Sequence, residues 1–276
     1  MTAPGDHTET LWLAVRFSDL DVAGHVNNVA WLRFVHLGVS QLLASRLPLA
    51  NRAEAGAPVW RWVEAHYRRT VQAVGTPIVV RASSVEQAEG LLVAAGVGSV
   101  GLDGTVVDCV AAEVFVGPSL SPTPEVVSGQ FGAGPPPALT SRWPWSMVVP
   151  VRPPDRAEGG ALSPVAAADL LQEARHGALS GWRNGIRGRL VVARVGLDLG
   201  PAWVGDEIRL DTCCARVGRA SFDLATRGVD PVTGATVVQS TARIARLMTD
   251  TDRSATPWSE AERALLGQLR TGAGSG

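Results

Sequence analysis

The chain has 276 residues, of which 46% are hydrophobic and 18% are charged, the composition of a globular protein with a substantial core. Its formal net charge of −1 excludes general nucleic-acid binding, which depends on clustered positive charge. All 25 basic residues are arginine, which excludes lysine Schiff bases and P-loop lysines. No apolar run reaches the roughly 18 residues of a membrane helix, and no signal-peptide pattern opens the chain. We therefore predict a cytoplasmic protein with no membrane partner.

Hydrophobic periodicity and turn residues predict the same series of elements twice. In the first half a strand, a helix and four strands are predicted at Leu11–Phe17, Asn27–Arg46, 58–70, 77–88, 91–101 and 105–116. In the second half the corresponding elements are Met147–Arg152, Pro164–Trp182, 188–199, 206–217, 220–229 and 235–247. A last helix, from Ser259 to Leu269, is predicted to begin with Ser259 as its N-cap and Glu262 completing a capping box.

The two halves also repeat one another in sequence. Six residues of the first half recur 136 positions later, namely Val15, Arg16, Asp19, Gly24, Val29 and Ala30. Gly75 and Gly104 recur 130 positions later, as Gly205 and Gly234, so the second copy is shorter. An ordered set of matches with one deletion indicates an internal duplication.

The predicted elements divide the chain into four parts. Residues 10–117 form a first domain, 118–142 a Pro- and Gly-rich linker, 143–249 a second domain, and 250–276 a C-terminal helix and tail. Because the first helix is apolar on nearly all sides, it must be wrapped by the strands that follow it. We therefore predict an α+β fold, in which two helices, each wrapped by an antiparallel sheet, are joined through one continuous sheet.

The cysteines give no sign of a cross-link or a metal centre. Cys213 and Cys214 are adjacent, which makes them a poor disulfide pair, and Cys109 is remote from both. None of the three has a partner at the spacing of a zinc ligand. We therefore predict buried, reduced thiols, no metal and no cofactor.

One loop carries a motif. Residues 19–28 read Asp-Leu-Asp-Val-Ala-Gly-His-Val-Asn-Asn and lead into the first helix. This segment resembles the D-x-D-x-x-G-H-V-N-N signature of hotdog-fold thioesterases, of the 4-hydroxybenzoyl-CoA thioesterase type and of the acyl-ACP thioesterases. Glu64-Ala-His-Tyr67 resembles the acidic residue and tyrosine that open the next strand in that family. The resemblance implies a double hotdog that hydrolyses acyl thioesters of CoA or of acyl carrier protein, as a monomer or a homo-oligomer.

The residue types of the loop suit that chemistry. Thioester hydrolysis needs a carboxylate that activates water or attacks directly, and donors for the developing oxyanion. Asp21 is the candidate base or nucleophile, and the amides of residues 24–27 are the candidate oxyanion donors. The remaining candidates are His25 and Glu64 in catalysis, and Gly24, Val26, Asn27, Asn28 and Trp31 in substrate binding. The structural alternatives are turn, cap, strand and core roles for the same side chains.

The second copy has a corresponding loop that lacks the candidate catalytic side chains. Asp21 and His25 correspond to Ala157 and Ala161, and the two asparagines correspond to a Ser-Pro pair. On the second helix, Asp169 and Glu173 share one face and are secondary catalytic candidates, or else part of a solvated stripe. Ala23 stands where the acyl-ACP branch has asparagine, which favours acyl-CoA as the substrate. The alternative function is an acyl-CoA-binding hotdog protein without turnover.

Overall fold

The computed structural model describes residues 8–46, 59–87, 90–117, 143–157, 160–180, 185–200, 203–247 and 256–271. Its backbone divides into two compact units, Met1–Val127 and Ser128–Gly276. The predicted linker at 118–142 lies outside the described residues. The four predicted domain boundaries, and the joining of the two sheets into one, remain predictions.

The first unit consists of one long helix on a five-stranded antiparallel sheet. Its elements are β1 (Thr8–Ala14), α1 (Asn28–Arg46), β2 (Val59–Tyr67), β3 (Pro77–Gln87), β4 (Gly90–Val100) and β5 (Val106–Gly117). Within this unit the strand order is β1-β3-β4-β5-β2. Antiparallel pairing brings the loop before α1, the β2–β3 loop and the β4–β5 hairpin to the same end of the sheet.

The apolar helix α1 is in close contact with the sheet. Phe34, Val35 and Leu42 are each at most 1% exposed. A Cβ atom on Gly38 would lie 2.5 Å from Cγ1 of Val80, so only glycine allows this approach of helix to strand. Burial of nearly every apolar side chain of α1 confirms the prediction that the sheet wraps this helix.

The second unit repeats the first. Its elements are β6 (Trp145–Pro150), α2 (Pro164–Ser180), β7 (Arg189–Leu199), β8 (Glu207–Val217), β9 (Ser221–Val229) and β10 (Thr236–Leu247). The strand order within it is β6-β8-β9-β10-β7, which is the order of the first unit element for element. The predicted α+β class is therefore confirmed, and the two units share one order of elements and strands.

Sequence reasoning placed the first strand of each unit slightly too late. β1 ends at Ala14 rather than at Phe17, and β6 ends at Pro150. The reason is a short 3-10 turn that follows each strand, Phe17–Asp19 in the first unit and Pro153–Asp155 in the second. β2 ends at Tyr67 rather than at residue 70, and the other helix and strand ends lie within two residues of the predicted ones.

A C-terminal helix, α3 (Glu260–Thr271), covers part of the second unit. Leu266 and Leu269 of α3 pack with Trp258, Phe222 and other side chains of the sheet in one buried cluster.

The three cysteines are buried free thiols, as predicted. In the described ranges no helix combines the length and hydropathy needed to span a membrane.

The first turn of α3 is held by a fully bonded, buried carboxylate. Glu262 is 4% exposed. One of its oxygens accepts the backbone N–H and the hydroxyl of Ser259, both at 2.8 Å, which confirms the predicted capping box. The other accepts the backbone N–H of Arg187 at 3.0 Å and the guanidinium of Arg246 at 2.6 Å. Burial raises the pKa of Glu262, but these hydrogen bonds outweigh it and lower the pKa to about 2.

We expect the Glu262 carboxylate to make the second unit sensitive to acid. Because its pKa is lower in the folded protein, its stabilisation is complete above about pH 4.5 and is lost as the pH falls towards 2, a change of about 3 kcal/mol. Glu262→Gln should reduce the free energy of unfolding at pH 7 by about 3–5 kcal/mol, because Arg246 is then buried without a counter-charge. The difference between variant and wild type should shrink as the pH falls towards 2.

Urea unfolding of the full chain at several pH values measures this effect. Glu260→Gln, an exposed carboxylate in the same helical turn, is the matched control and should change stability by at most about 1 kcal/mol. A difference between Glu262→Gln and wild type that stays constant from pH 7 to pH 2 would contradict the assignment.

Candidate active site

The loop between β1 and α1 is a compact turn fixed by its own backbone. Leu20 and Val26 form a β-bridge, and the amide of Gly24 donates to the carbonyl of Asp21 at 2.9 Å. Gly24 has φ 74°, in the left-handed region that disfavours residues with a side chain. The glycine of the motif is therefore required by the turn itself.

Asp19 is the structural anchor of this loop. It is fully buried, and its Oδ2 accepts the backbone N–H of Arg16 at 2.8 Å while Oδ1 contacts the guanidinium of Arg33 on α1. Its backbone carbonyl accepts the N–H of Asn27 at 2.9 Å. The interpretation of Asp19 as a turn residue is supported by these contacts, which tie the loop to the start of the helix.

Asp21 presents one free carboxylate oxygen to solvent. Its Oδ1 accepts the backbone N–H groups of Ala23 at 2.9 Å and His25 at 3.0 Å. Its Oδ2 has no hydrogen-bond partner in the described part of the chain, and the side chain is 40% exposed. The two amides orient the carboxylate, so the free oxygen has a defined direction and is accessible to water.

His25 lies beside this carboxylate, but the ring nitrogen that contacts another side chain is the one remote from Asp21. The residue is 6% exposed, and its Nδ1 is 3.8 Å from Oδ1 of Asp21, which is too far for a hydrogen bond. Its Nε2 contacts the side-chain nitrogen of Gln72 in the β2–β3 loop. Sequence analysis did not identify Gln72, because no local pattern links it to a histidine 47 positions earlier.

The expectation that the amides of residues 24–27 are open oxyanion donors is wrong. His25 donates to Asp21, Val26 to the carbonyl of Val71, and Asn27 to the carbonyl of Asp19. Asn27 is the N-cap of α1, with its Oδ1 accepting the amide of Ala30 at 2.7 Å.

The backbone N–H groups without an acceptor belong to the next two residues of the chain. The backbone amides of Asn28 and Val29, in the first turn of α1, donate to no acceptor among the described residues. The side-chain amide of Asn28 likewise has no partner there. These groups carry the partial positive charge of the helix N-terminus, so they suit an anionic oxygen.

Trp31 and Glu64 have other contacts within the first unit. Trp31 is 2% exposed and packs edge-on against Phe34, with ring centroids 5.7 Å apart. Side chains alternate along β2, so Glu64 lies on the face opposite to Tyr67, whose hydroxyl donates to the carbonyl of Asn28 at 3.2 Å. Glu64 Oε1 lies 2.7 Å from Nε2 of His66. The structure does not bring Glu64 to the Asp21 carboxylate.

The second unit builds the same loop without the free carboxylate. The amide of Ala157 donates to the carbonyl of Ala161 at 2.7 Å, as that of Asp21 does to His25. Gly160 repeats the left-handed conformation of Gly24, with φ 82°. Ser163 caps α2 through the amide of Ala166 at 3.1 Å. The backbone of the motif is therefore duplicated, whereas the carboxylate of Asp21 is not.

Asp155 anchors this second loop as Asp19 anchors the first. Arg152 donates to it through its backbone N–H at 2.8 Å and through two guanidinium nitrogens at 3.0 Å each. The side-chain hydrogen bond from Arg152 is the largest cause that lowers the pKa of Asp155.

The secondary candidates lie on α2. Asp169 is half-buried, and this burial raises its pKa, with Arg152 acting in the opposite direction. Glu173, one turn further along, is exposed. Their role as secondary catalytic residues stays a prediction.

Comparison with known proteins identifies the fold. Residues 3–44, which include the motif, match the model of the acyl-ACP thioesterase C-terminal domain. Among solved structures, the chain is similar to the 12:0-ACP thioesterase from Umbellularia californica, with 9% identity and a TM-score of 0.68, covering 87% of this chain and 94% of that one. It is also similar to an acyl-ACP thioesterase from Bacteroides thetaiotaomicron, with 10% identity and a TM-score of 0.61, covering 86% and 97%. No curated protein matches the sequence.

These findings confirm the resemblance to the hotdog-fold thioesterases. At such identities the solved structures define the fold, and the matched family model covers the loop and helix that carry the motif. The narrower resemblance to the 4-hydroxybenzoyl-CoA type stays a prediction.

Because the two loops share one conformation, we expect a side chain at the left-handed glycine of either loop to destabilise the protein by the same amount. No atom lies within 4 Å of a Cβ built on Gly24, and only Val204, at 3.8 Å, meets one on Gly160, so backbone strain decides the cost. We expect Gly24→Ala and Gly160→Ala each to lower the free energy of unfolding by about 1–2 kcal/mol. Denaturant titration of both variants measures it, and costs differing by more than about 1 kcal/mol would contradict the shared conformation.

Proposed function

We propose that the protein hydrolyses acyl thioesters at the loop between β1 and α1. The observation that supports this most directly is the free Oδ2 of Asp21, oriented by two amides, in the same loop–helix segment as the open amides of Asn28 and Val29. A carboxylate and an oxyanion site are the two components that thioester hydrolysis requires. The match of this segment to an acyl-ACP thioesterase model supports the same conclusion.

In the proposed reaction the thioester carbonyl oxygen accepts hydrogen bonds from the Asn28 and Val29 amides. Acting as general base, Asp21 Oδ2 takes a proton from water as the water oxygen bonds to the carbonyl carbon. The tetrahedral intermediate then collapses, the carbon–sulfur bond breaks, and the sulfur leaves with the proton held by Asp21. Acting as nucleophile, the same oxygen would bond to the carbonyl carbon as the carbon–sulfur bond breaks and the thiolate leaves. Water would then cleave the resulting anhydride, which restores the Asp21 carboxylate and supplies the proton of the thiol.

The remaining motif residues support these groups. The contact of His25 with Gln72 and the hydrogen bond from the Val26 amide to the Val71 carbonyl join the loop to the β2–β3 loop. Asn27 caps α1. Asn28 offers its side-chain amide as a further donor to the substrate. Glu64 has no step in this mechanism.

The carrier of the acyl group is part of the proposal. Ala23, at the position where the acyl-ACP branch has asparagine, favours a CoA thioester, whereas the matched model and the structural neighbours are acyl-ACP thioesterases. We propose acyl-CoA as the substrate. The comparison of CoA and carrier-protein thioesters of one acyl chain, by kcat/KM, tests this choice.

Asp21→Asn is the direct test of the reaction. The variant keeps the size and one accepting oxygen of the side chain but cannot take a proton or attack, so we expect kcat to fall about 10²–10⁴-fold. Thiol release from a panel of acyl-CoAs, read with a thiol-reactive dye, measures it. Asp103→Asn, an exposed turn carboxylate in the β4–β5 hairpin, is the matched control and should leave kcat unchanged.

Two results would count against this function. A kcat for Asp21→Asn within about threefold of wild type would remove Asp21 from the mechanism. Saturable binding of acyl-CoA without thiol release, at every chain length tested and with either carrier, would favour the non-catalytic alternative.

Asp155→Asn tests whether the second loop is catalytically silent. Since the free carboxylate of the first loop corresponds to Ala157, we expect kcat to stay within about twofold of wild type. The loss of the Arg152 contacts should cost about 1 kcal/mol of unfolding free energy, because that arginine is largely exposed. A loss of kcat equal to that of Asp21→Asn would show that the second loop takes part in the reaction.

A further inference from the structure

Each ring nitrogen of His25 lies near a different side chain. Nε2 contacts the side-chain nitrogen of Gln72, in the β2–β3 loop. Nδ1 lies 3.8 Å from Oδ1 of Asp21, in the motif loop. The histidine is 6% exposed, whereas Gln72 itself is exposed. The buried imidazole therefore connects the amide of one loop to the candidate base of the other.

The contact with Gln72 determines which ring nitrogen carries the proton. The side-chain nitrogen of glutamine has two N–H groups and can only donate. Nε2 of His25 must therefore accept the hydrogen bond, which requires that it carries no proton. Since a neutral imidazole carries one proton, that proton lies on Nδ1, the nitrogen nearer to Asp21.

The Asp21 carboxylate favours the same tautomer. A proton on Nδ1 is attracted to the negative charge 3.8 Å away, whereas a lone pair on Nδ1 would be repelled by it. The two contacts are separate observations, because Gln72 and Asp21 belong to different loops. Both of them place the proton of His25 on Nδ1.

The second unit lacks all three of these side chains. At the offsets of the duplication, Asp21, His25 and Gln72 correspond to Ala157, Ala161 and Ala202. The second loop nevertheless keeps the buried anchoring aspartate and the left-handed glycine. The loop conformation therefore does not require these three side chains, and they are present or absent as a set.

Another histidine of the first unit has the opposite surroundings. Nε2 of His66 lies 2.7 Å from Oε1 of Glu64, a carboxylate oxygen that accepts. This contact places a proton on Nε2 of His66. The first unit thus holds two histidines whose Nε2 atoms differ in protonation, because one meets an amide nitrogen and the other a carboxylate.

We propose that Gln72 is a positioning residue that holds the proton of His25 on Nδ1, beside the charged carboxylate of Asp21. This inference rests on the proposed function, because it takes Asp21 as the general base or nucleophile. Both roles need the charged carboxylate, and the tautomer that Gln72 selects is the one compatible with that charge. Gln72 itself takes no proton and acts through the imidazole.

Nuclear magnetic resonance of the wild-type full chain tests the tautomer without any substitution. Long-range proton–nitrogen correlation spectra distinguish a protonated from an unprotonated ring nitrogen, at about pH 8, where histidine is ordinarily neutral. We expect His25 to carry its proton on Nδ1 and to have an unprotonated Nε2, whereas His66 should have a protonated Nε2. Loss of the corresponding signals in His25→Gln and His66→Gln assigns them.

Two substitutions of similar size at Gln72 test its role. Gln72→Glu offers an accepting oxygen in place of the N–H, so Nε2 of His25 should become protonated while the His66 signals stay unchanged. Gln72→Met offers neither, and we expect kcat for thiol release to fall about three- to tenfold, as for one lost hydrogen bond. Gln239→Met, which removes a side-chain amide that donates to Asp198 at 3.0 Å in the second unit, is the matched control. It should leave kcat and the His25 signals unchanged.

Three outcomes would overturn the role of Gln72. They are a protonated Nε2 of His25 in wild type, an unprotonated Nε2 in Gln72→Glu, and a kcat for Gln72→Met equal to that of wild type. The first needs no variant, so it decides the matter even if a substitution prevents folding.

The spectra also separate this inference from the proposed function. If thiol is released but Nε2 of His25 is protonated in wild type, only the role of Gln72 fails. If wild type releases no thiol from any thioester, the proposed hydrolysis fails, and the spectra alone decide whether Gln72 fixes the tautomer of His25.

Discussion

The loops of both units depend on one kind of interaction, a buried aspartate that ties a 3-10 turn to the start of a long helix. Asp19 accepts the backbone N–H of Arg16 and contacts Arg33, while its carbonyl accepts the amide of Asn27. Asp155 repeats the arrangement, with its carbonyl accepting the amide of Ser163 at 2.9 Å. A buried carboxylate left without partners is strongly destabilising, so the surrounding backbone has little freedom. This constraint fixes the backbone at the residue two positions later, which is Asp21 in the first loop and Ala157 in the second.

The two units show how one frame can carry different chemistry. In the first loop that next residue is Asp21, with an oxygen open to solvent, and in the second it is Ala157. The charge that balances the anchor also moves, because Arg33 of α1 is replaced at the equivalent position of α2 by Asp169. Arg152 then supplies the counter-charge from within the loop through two guanidinium hydrogen bonds. The backbone of the loop is therefore the same in both units, whereas the solvent-exposed carboxylate is present only in the first.

Glu262 shows how a buried polar group is held in this fold. Glu262 accepts four hydrogen bonds. Two come from Ser259 at the start of α3, and two come from Arg187 and Arg246, which connect α3 to the second unit. The carboxylate is saturated because the interior offers no water as a substitute for these hydrogen bonds.

The sequence by itself determined the features whose causes are local. The apolar helix, the repeated order of elements, the capping box of α3 and the left-handed glycine of the motif loop follow from residue spacing within a few turns of chain. Only the tertiary structure decided which groups remain available. The amide of Val26 is taken by Val71 and the ring of His25 by Gln72, both from a distant loop. Strand alternation on β2 turns Glu64 away from Tyr67, and Trp60 rather than solvent lies beside His36. Such pairings depend on which strands meet at one end of a sheet, and no spacing along the chain encodes them.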